Sequence, residues 1–182
     1  MMKILFFALL SVPVVVLSLR SIFSYRNHGF YRFFGWEGVL WLLVSNVKFW
    51  FEDPFGPKQV ISWFMLFVSL YYLIVGGILL IRLGKPQRSE ERKELFQFEK
   101  TTELIQTGLF GWIRHPLYGS LILLTWGIFL KNCTVPLLIV ALLSTLFFYL
   151  TALYDEKECI QFFGEKYRTY MKHTKMFIPF VW

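Results

Sequence analysis

Between Val60 and Ile81 the chain runs 22 residues without a charged side chain. A stretch of that length matches the hydrocarbon core of a bilayer, where a helix satisfies its own backbone hydrogen bonds. Other runs repeat the pattern. Ile4 to Leu19 is almost wholly apolar, with Lys3 before it and Arg20 after it. No small-x-small cleavage site follows, so it reads as a first transmembrane helix and not as a signal peptide. Phe33 to Phe51 is a second run, interrupted by Glu37, Ser45, Asn46 and Lys48, which need partners or an interfacial position. Leu117 to Leu130 is short but long enough if it starts at His115, and Val135 to Tyr154 is the last span. The expectation is an all-α polytopic membrane protein, one domain over residues 1–182 with about five transmembrane helices. With 56% hydrophobic residues and a mean hydropathy of +0.52, much of the apolar surface must face lipid.

The connectors supply the orientation. Glu52 to Pro57 is a turn by its prolines and glycine. Arg82 to Ile113 is the one long polar segment, and Ser89 to Glu99 within it begins like a capped helix. Asp155 to Lys172 reads as an amphipathic helix with Ile160, Phe163, Tyr167 and Tyr170 on one side. The apolar tail from Met176 is expected to pack back on the bilayer interface. With the N-terminus outside, 15 of the 19 lysines and arginines, Arg20, Arg26 and Arg32 among them, fall on cytosolic segments. That asymmetry is the one expected of a protein whose C-terminus is cytosolic. The net charge of +7 flanks apolar runs instead of forming a stripe, so it points to membrane lipids and not to nucleic acid. Cys133 falls on an outer turn and Cys159 on an inner helix, too far apart to pair. Neither they nor His28 and His173 have metal-ligand spacing, so no metal is expected. The two histidines read as polar interfacial residues.

Chemistry concentrates at one cytosolic rim. In Gly108-Leu109-Phe110-Gly111-Trp112-Ile113-Arg114-His115-Pro116-Leu117-Tyr118, a cation, an imidazole and a phenol stand directly before an apolar helix. Pro116 suits the first turn of that helix, where its missing N–H costs nothing. His115 and Tyr118 share one helical face. The last two spans form a hairpin, which brings Tyr154, Asp155, Glu156 and Glu158 to the same rim. No nucleophile pattern stands beside His115, and no glycine-rich phosphate loop appears. What remains is a rim of mixed charge and aromatic rings that suits a zwitterionic ligand carrying an aromatic base. Interfacial anchoring is the structural reading of the same groups.

The stretch from Gly108 to Tyr118 resembles the Gly-x-Tyr-x-x-x-Arg-His-Pro-x-Tyr motif of the isoprenylcysteine carboxyl methyltransferases and phospholipid N-methyltransferases. Downstream, Asp155 and Glu156, then Phe163, Gly164, Tyr167 and Tyr170, resemble that family's Glu-Glu-x(6)-Phe-Gly-x-x-Tyr-x-x-Tyr segment. Ile178-Pro179 falls at its terminal Ile-Pro. The resemblance covers residues 101–182. It implies S-adenosylmethionine as methyl donor, held at the cytosolic ends of the last two spans, and a lipophilic methyl acceptor entering from the bilayer. By position, the cofactor-binding residues it implies are Leu104 and Ile105 on a strand-like approach, His115, Pro116 and Tyr118 at the turn, and the acidic pair Asp155 and Glu156. The chain departs from the pattern at Phe110 and Thr102, which replace a Tyr and a His. At Thr151 it lacks the Arg that the prenylcysteine enzymes assign to substrate carboxylate.

The residue types suit those roles. A carboxylate can hold the donor's ammonium, and Arg114 or a helix N-terminus its carboxylate. The Tyr118 ring can stack on adenine or face the sulfonium. Glu156 is the candidate general base, needed only where the acceptor must lose a proton. The acceptor classes are a prenylcysteine carboxylate, a phospholipid amine or a small thiol. The alternative is a non-catalytic transporter subunit or assembly factor whose charged rim docks a cytosolic partner. A transporter would place paired polar residues near the bilayer midplane, and the last three spans lack charged residues there.

Overall fold

The computed structural model describes residues 2–23, 28–85 and 101–180. The expected capped helix from Ser89 to Glu99 lies outside the described residues. Within them the chain forms six α-helices: α1 (Met2–Ile22), α2 (His28–Asn46), α3 (Pro57–Leu83), α4 (Pro116–Phe129), α5 (Val135–Phe163) and α6 (Glu165–His173). Short 3-10 turns at Val47–Phe49 and Gly108–Gly111 join them. There is no strand among the described residues, and the one extended pairing is a parallel bridge between Ile113 and Lys175. Leu104 and Ile105 lie in irregular chain, not in a strand. Pro57, Pro116 and Pro136 each stand in the first two positions of their helix, where a missing N–H leaves no bond unmade.

Three of these helices, over Met2–Leu19, Pro57–Leu83 and Val135–Phe163, are long and apolar enough to cross a membrane, and α4 is a shorter apolar helix. Only 6% of the α1 window and 11% of the α3 window is buried in protein. Large apolar side chains such as Phe6, Leu9, Phe64 and Phe67 therefore point outward, the inverse of a water-soluble bundle.

Two helix pairs make the frame, and small residues set their distance. In the antiparallel α2–α5 pair, a Cβ on Gly35 would sit 2.5 Å from the Phe148 ring, and one on Gly38 would collide with Ser144. In the antiparallel α3–α4 pair, Ser62 Oγ donates to Gly127 O at 2.7 Å and Ser69 Oγ to Ser120 O at 2.8 Å. Such small-residue seams let backbones approach and hydrogen-bond where apolar burial gives little drive between helices. The polar residues of the second run find partners. Ser11 Oγ lies 2.7 Å from both Glu37 carboxylate oxygens, and Asn46 Nδ2 donates to Ile128 O at 2.8 Å. At the same end, Lys131 Nζ bonds Gln59 at 2.8 Å and lies 3.8 Å from the Trp63 ring centroid.

Two expected boundaries move. The second helix begins at His28, not Phe33, and closes at Asn46. Arg32 is therefore a buried helical residue and not part of a cytosolic connector. The fifth helix does not end at Tyr154 but continues to Phe163. Polarity changes at Asp155, yet no breaker follows until Gly164, whose φ of 62° ends the helix. The amphipathic element is thus divided between the end of α5 and the short α6, which buries Tyr167 and Tyr170.

Candidate active site

The chain returns from α3 to α4 through Gly108, whose φ is 60°, and tightens into the Gly108–Gly111 turn. Tyr170 of α6 fastens that turn, its hydroxyl donating to Phe110 O at 2.6 Å. Burial pushes the phenols of Tyr167 and Tyr170 above their ordinary value, so both stay neutral donors. The tail then runs beside the motif: Lys175 N donates to Trp112 O at 3.0 Å, Arg114 N to Lys175 O at 2.8 Å and His115 N to Met176 O at 3.1 Å. Met176 and Phe177 are buried, so this part of the tail packs under the motif and not outward on the bilayer interface.

Those backbone bonds leave the side chains of Arg114 and His115 facing the end of α5. Arg114 Nε donates to Glu156 Oε1 at 2.7 Å, and its Nη1 donates to the carbonyls of Thr174 and Met171. His115 bridges the acidic pair, with Nδ1 3.3 Å from Asp155 Oδ2 and Nε2 3.3 Å from Glu156 Oε1. Burial of His115 opposes its charge, but hydrogen bonds and attraction from both carboxylates prevail and hold its pKa above the ordinary 6.5. The Tyr118 ring stacks on the imidazole at 5.6 Å.

Arg114, His115, Tyr118 and Asp155 line a cavity of about 430 Å³, within the range of small-molecule sites. Of the residues singled out from sequence, Leu104, Ile105, Arg114, His115, Pro116, Tyr118 and Asp155 line it. Glu156 does not. It is 6% exposed and stands behind the wall, holding Arg114 and His115 with one oxygen. That geometry does not suit the general-base role. Leu17 of α1, Leu73 of α3 and Leu121 of α4 give the same cavity apolar lining.

The matches to known proteins follow this layout. A family model for phospholipid methyltransferases matches residues 66–166, from within α3 through the motif and the acidic pair into α6. The chain belongs to the phospholipid methyltransferase family. Among its relatives, the methanethiol S-methyltransferase of Pseudomonas deceptionensis is 35% identical over 71 residues, covering 39% of this chain and 26% of that protein. The human protein-S-isoprenylcysteine O-methyltransferase is 28% identical over 144 residues, 76% of this chain and 50% of that one. A probable protein-S-isoprenylcysteine O-methyltransferase of Oryza sativa subsp. indica is 29% identical over 146 residues, covering 79% and 76% respectively. The chain thus spans half the length, or less, of the first two. No solved structure matches.

Within this member of the phospholipid methyltransferase family, part of the cavity wall comes from α2, outside the matched stretch. His28, Arg32 and Trp36 recur every fourth residue on one face of α2. His28 is buried and not interfacial: its Nδ1 lies 3.0 Å from Glu158 Oε2 and its backbone N donates to Glu158 Oε1 at 3.2 Å. With Asp155 these two bring a ring nitrogen and two carboxylates within 4.8 Å of one another. Arg32 and Trp36 line the cavity itself. The i, i+4, i+8 spacing was the available signal for these residues, hidden because Arg32 resembles a basic flank.

Proposed function

We propose that the chain is an integral-membrane methyltransferase that uses S-adenosylmethionine to methylate a lipophilic acceptor. The observation that carries this reading is one cavity lined both by His115, Asp155 and Tyr118 and by the apolar side chains of Leu17, Leu73 and Leu121. These residues fit the donor: a carboxylate for its ammonium, and stacked rings for its base and sulfonium. When bound, the donor supplies an electrophilic methyl group on its sulfonium. Leu104, Ile105, Pro116 and Tyr118 would form the walls around it, and Asp155 would accept hydrogen bonds from its ammonium. The imidazolium of His115 holds protons at both Nδ1 and Nε2 toward carboxylates, which keeps Asp155 in place. Arg114 and Glu156 act behind, as positioning residues. Catalysis in such a site is mainly orientation and desolvation.

In the same reading α2 and α4 cross the membrane beside α5 and α3, which gives five spans with the N-terminus outside and the motif rim cytosolic. Family membership weighs against a non-catalytic docking protein. The relatives act, by their names, on methanethiol and on protein S-isoprenylcysteine. The test is calorimetry of S-adenosylhomocysteine with the detergent-purified chain and with Asp155→Ala and His115→Ala. Micromolar binding lost in both variants supports the reading, and absence of binding by a folded wild type overturns it.

A further inference from the structure

Where α2 meets the end of α5, metal-ligating side chains gather that the methyl-transfer reading leaves unused, save for Asp155. Asp155 and Glu158 stand one turn apart on α5, so both carboxylates lie on one helical face. His28, the first residue of α2, meets that face with its side chain 1% exposed. Its Nδ1 lies 3.0 Å from Glu158 Oε2, and its backbone N holds Glu158 Oε1 at 3.2 Å. With an oxygen of Asp155, the three ligand atoms lie within 4.8 Å of one another. Cys159, on the next turn of α5, brings a sulfur to 3.8 Å from Asp155 Oδ1. Ligands at i and i+3 of one helix, completed by a group from a facing helix, are how helical bundles build metal sites.

The donor set decides the class of ion. An imidazole nitrogen with carboxylate oxygens, and a soft sulfur beside them, suits zinc or a neighbouring first-row ion. Calcium and magnesium take sites built of oxygen. Two ligands of a tetrahedral zinc stand about 3.3 Å apart, close to the 3.0 Å between His28 Nδ1 and Glu158 Oε2. Asp155 has to close in, and its side chain is 26% exposed on the open side of the group. The charges of His115 and Arg32 act on Asp155 and oppose a further cation, so affinity falls well below that of a structural zinc. Spacing along the chain carries no sign of this group, because its members come from two helices distant in sequence. We propose that His28, Asp155 and Glu158 form a site for a zinc-class transition-metal ion, and that the ion competes with the methyl donor for Asp155. The metal site stands by itself; the competition rests on the methyltransferase reading, in which Asp155 accepts the donor's ammonium.

The test uses the full chain without a histidine tag, in an uncharged detergent and stripped by a chelator, and adds zinc or cobalt(II) alone. Calorimetry with zinc is expected to show one site per chain of micromolar affinity, and cobalt(II) to show the visible absorption bands of a low-coordinate centre. His28→Gln and Glu158→Gln are each expected to weaken the ion ten-fold or more and to remove the bands. Where the buried His28 variant does not fold, Glu158→Gln, at a partly exposed position, carries the test. Saturating S-adenosylhomocysteine is expected to weaken zinc ten-fold or more, and zinc to weaken S-adenosylhomocysteine by the same factor, as linkage requires. No zinc binding by folded wild type overturns the site. Binding and bands that survive the substitutions also overturn it and show an adventitious ion only. Zinc affinity unchanged by bound S-adenosylhomocysteine overturns the competition. Failure of wild type to bind S-adenosylhomocysteine strikes the methyltransferase reading and the competition with it, while the two substitutions still decide the metal site.

Discussion

Arg114 Nε and Glu156 Oε1 meet at 2.7 Å, with only 10% of one side chain and 8% of the other exposed. An ion pair so deeply placed adds little net stability when whole, because both charges give up water. Broken, it leaves a buried charge behind. Glu156→Ala and Arg114→Ala are each expected to cost about 3–5 kcal/mol. The double variant should cost clearly less than the sum, because the two share one interaction. Denaturant unfolding of the four proteins in one detergent measures the coupling. Additive losses would show that the pair is not a unit.

His115 makes stability depend on pH in a defined direction. Its folded-state pKa lies above 6.5, so folding binds a proton that the unfolded chain holds less tightly. The stabilisation is complete below about pH 6.5 and fades as pH rises through the raised value. Wild type should therefore lose melting temperature from pH 6.5 upward relative to His115→Gln, which lacks the titrating ring. Parallel melting curves from pH 5.5 to 9 would contradict the imidazolium bridge between Asp155 and Glu156.

What could be read from the sequence was whatever local chemistry dictates. The uncharged runs, Pro116 at the start of α4, the turn after α4 and the convergence of His115 with Asp155 all follow from spacing and polarity. Glu156 was legible as a partner of the rim, but its place behind His115 depends on the rotation of α5, which adjacent acids do not reveal. Arg32 and His28 were missed for a different reason. A basic residue near an apolar run looks the same whether it faces headgroups or an internal cavity, and only the pairing of α2 with α5 separates the cases. The tail was misjudged because extended pairing between Lys175 and Trp112 is a long-range contact with no periodic signal.

Close approach of α2 to α5 predicts a contrast between two glycines. A methyl group on Gly35 would press into the Phe148 ring at 2.5 Å, whereas nothing lies within 4 Å of one on Gly77 of α3. Gly35→Ala is expected to destabilise by about 1–3 kcal/mol through overpacking. Gly77→Ala should be neutral or stabilise by up to about 1 kcal/mol, as a helical glycine gains from a side chain. Thermal unfolding of both variants in the same detergent decides this. Equal effects would mean that the α2–α5 seam is looser than described.

The adjacent acids should separate by readout. Asp155 lines the cavity and touches His115 from the ligand side, with 26% of its side chain exposed. Glu156 lies behind the wall and bonds Arg114. Asp155→Asn removes a carboxylate from the cavity surface while keeping the shape, so cofactor-product affinity should fall ten-fold or more, with a smaller loss of stability than Glu156→Gln causes. Glu156→Gln leaves Arg114 without its counter-charge in a buried site, so stability falls first, and affinity falls only as far as His115 is released. Calorimetry and denaturant unfolding on the same preparations give both quantities. If Glu156→Gln lost affinity at unchanged stability, the acid behind the wall would have to reach the ligand, and the assignment of the two carboxylates would be reversed.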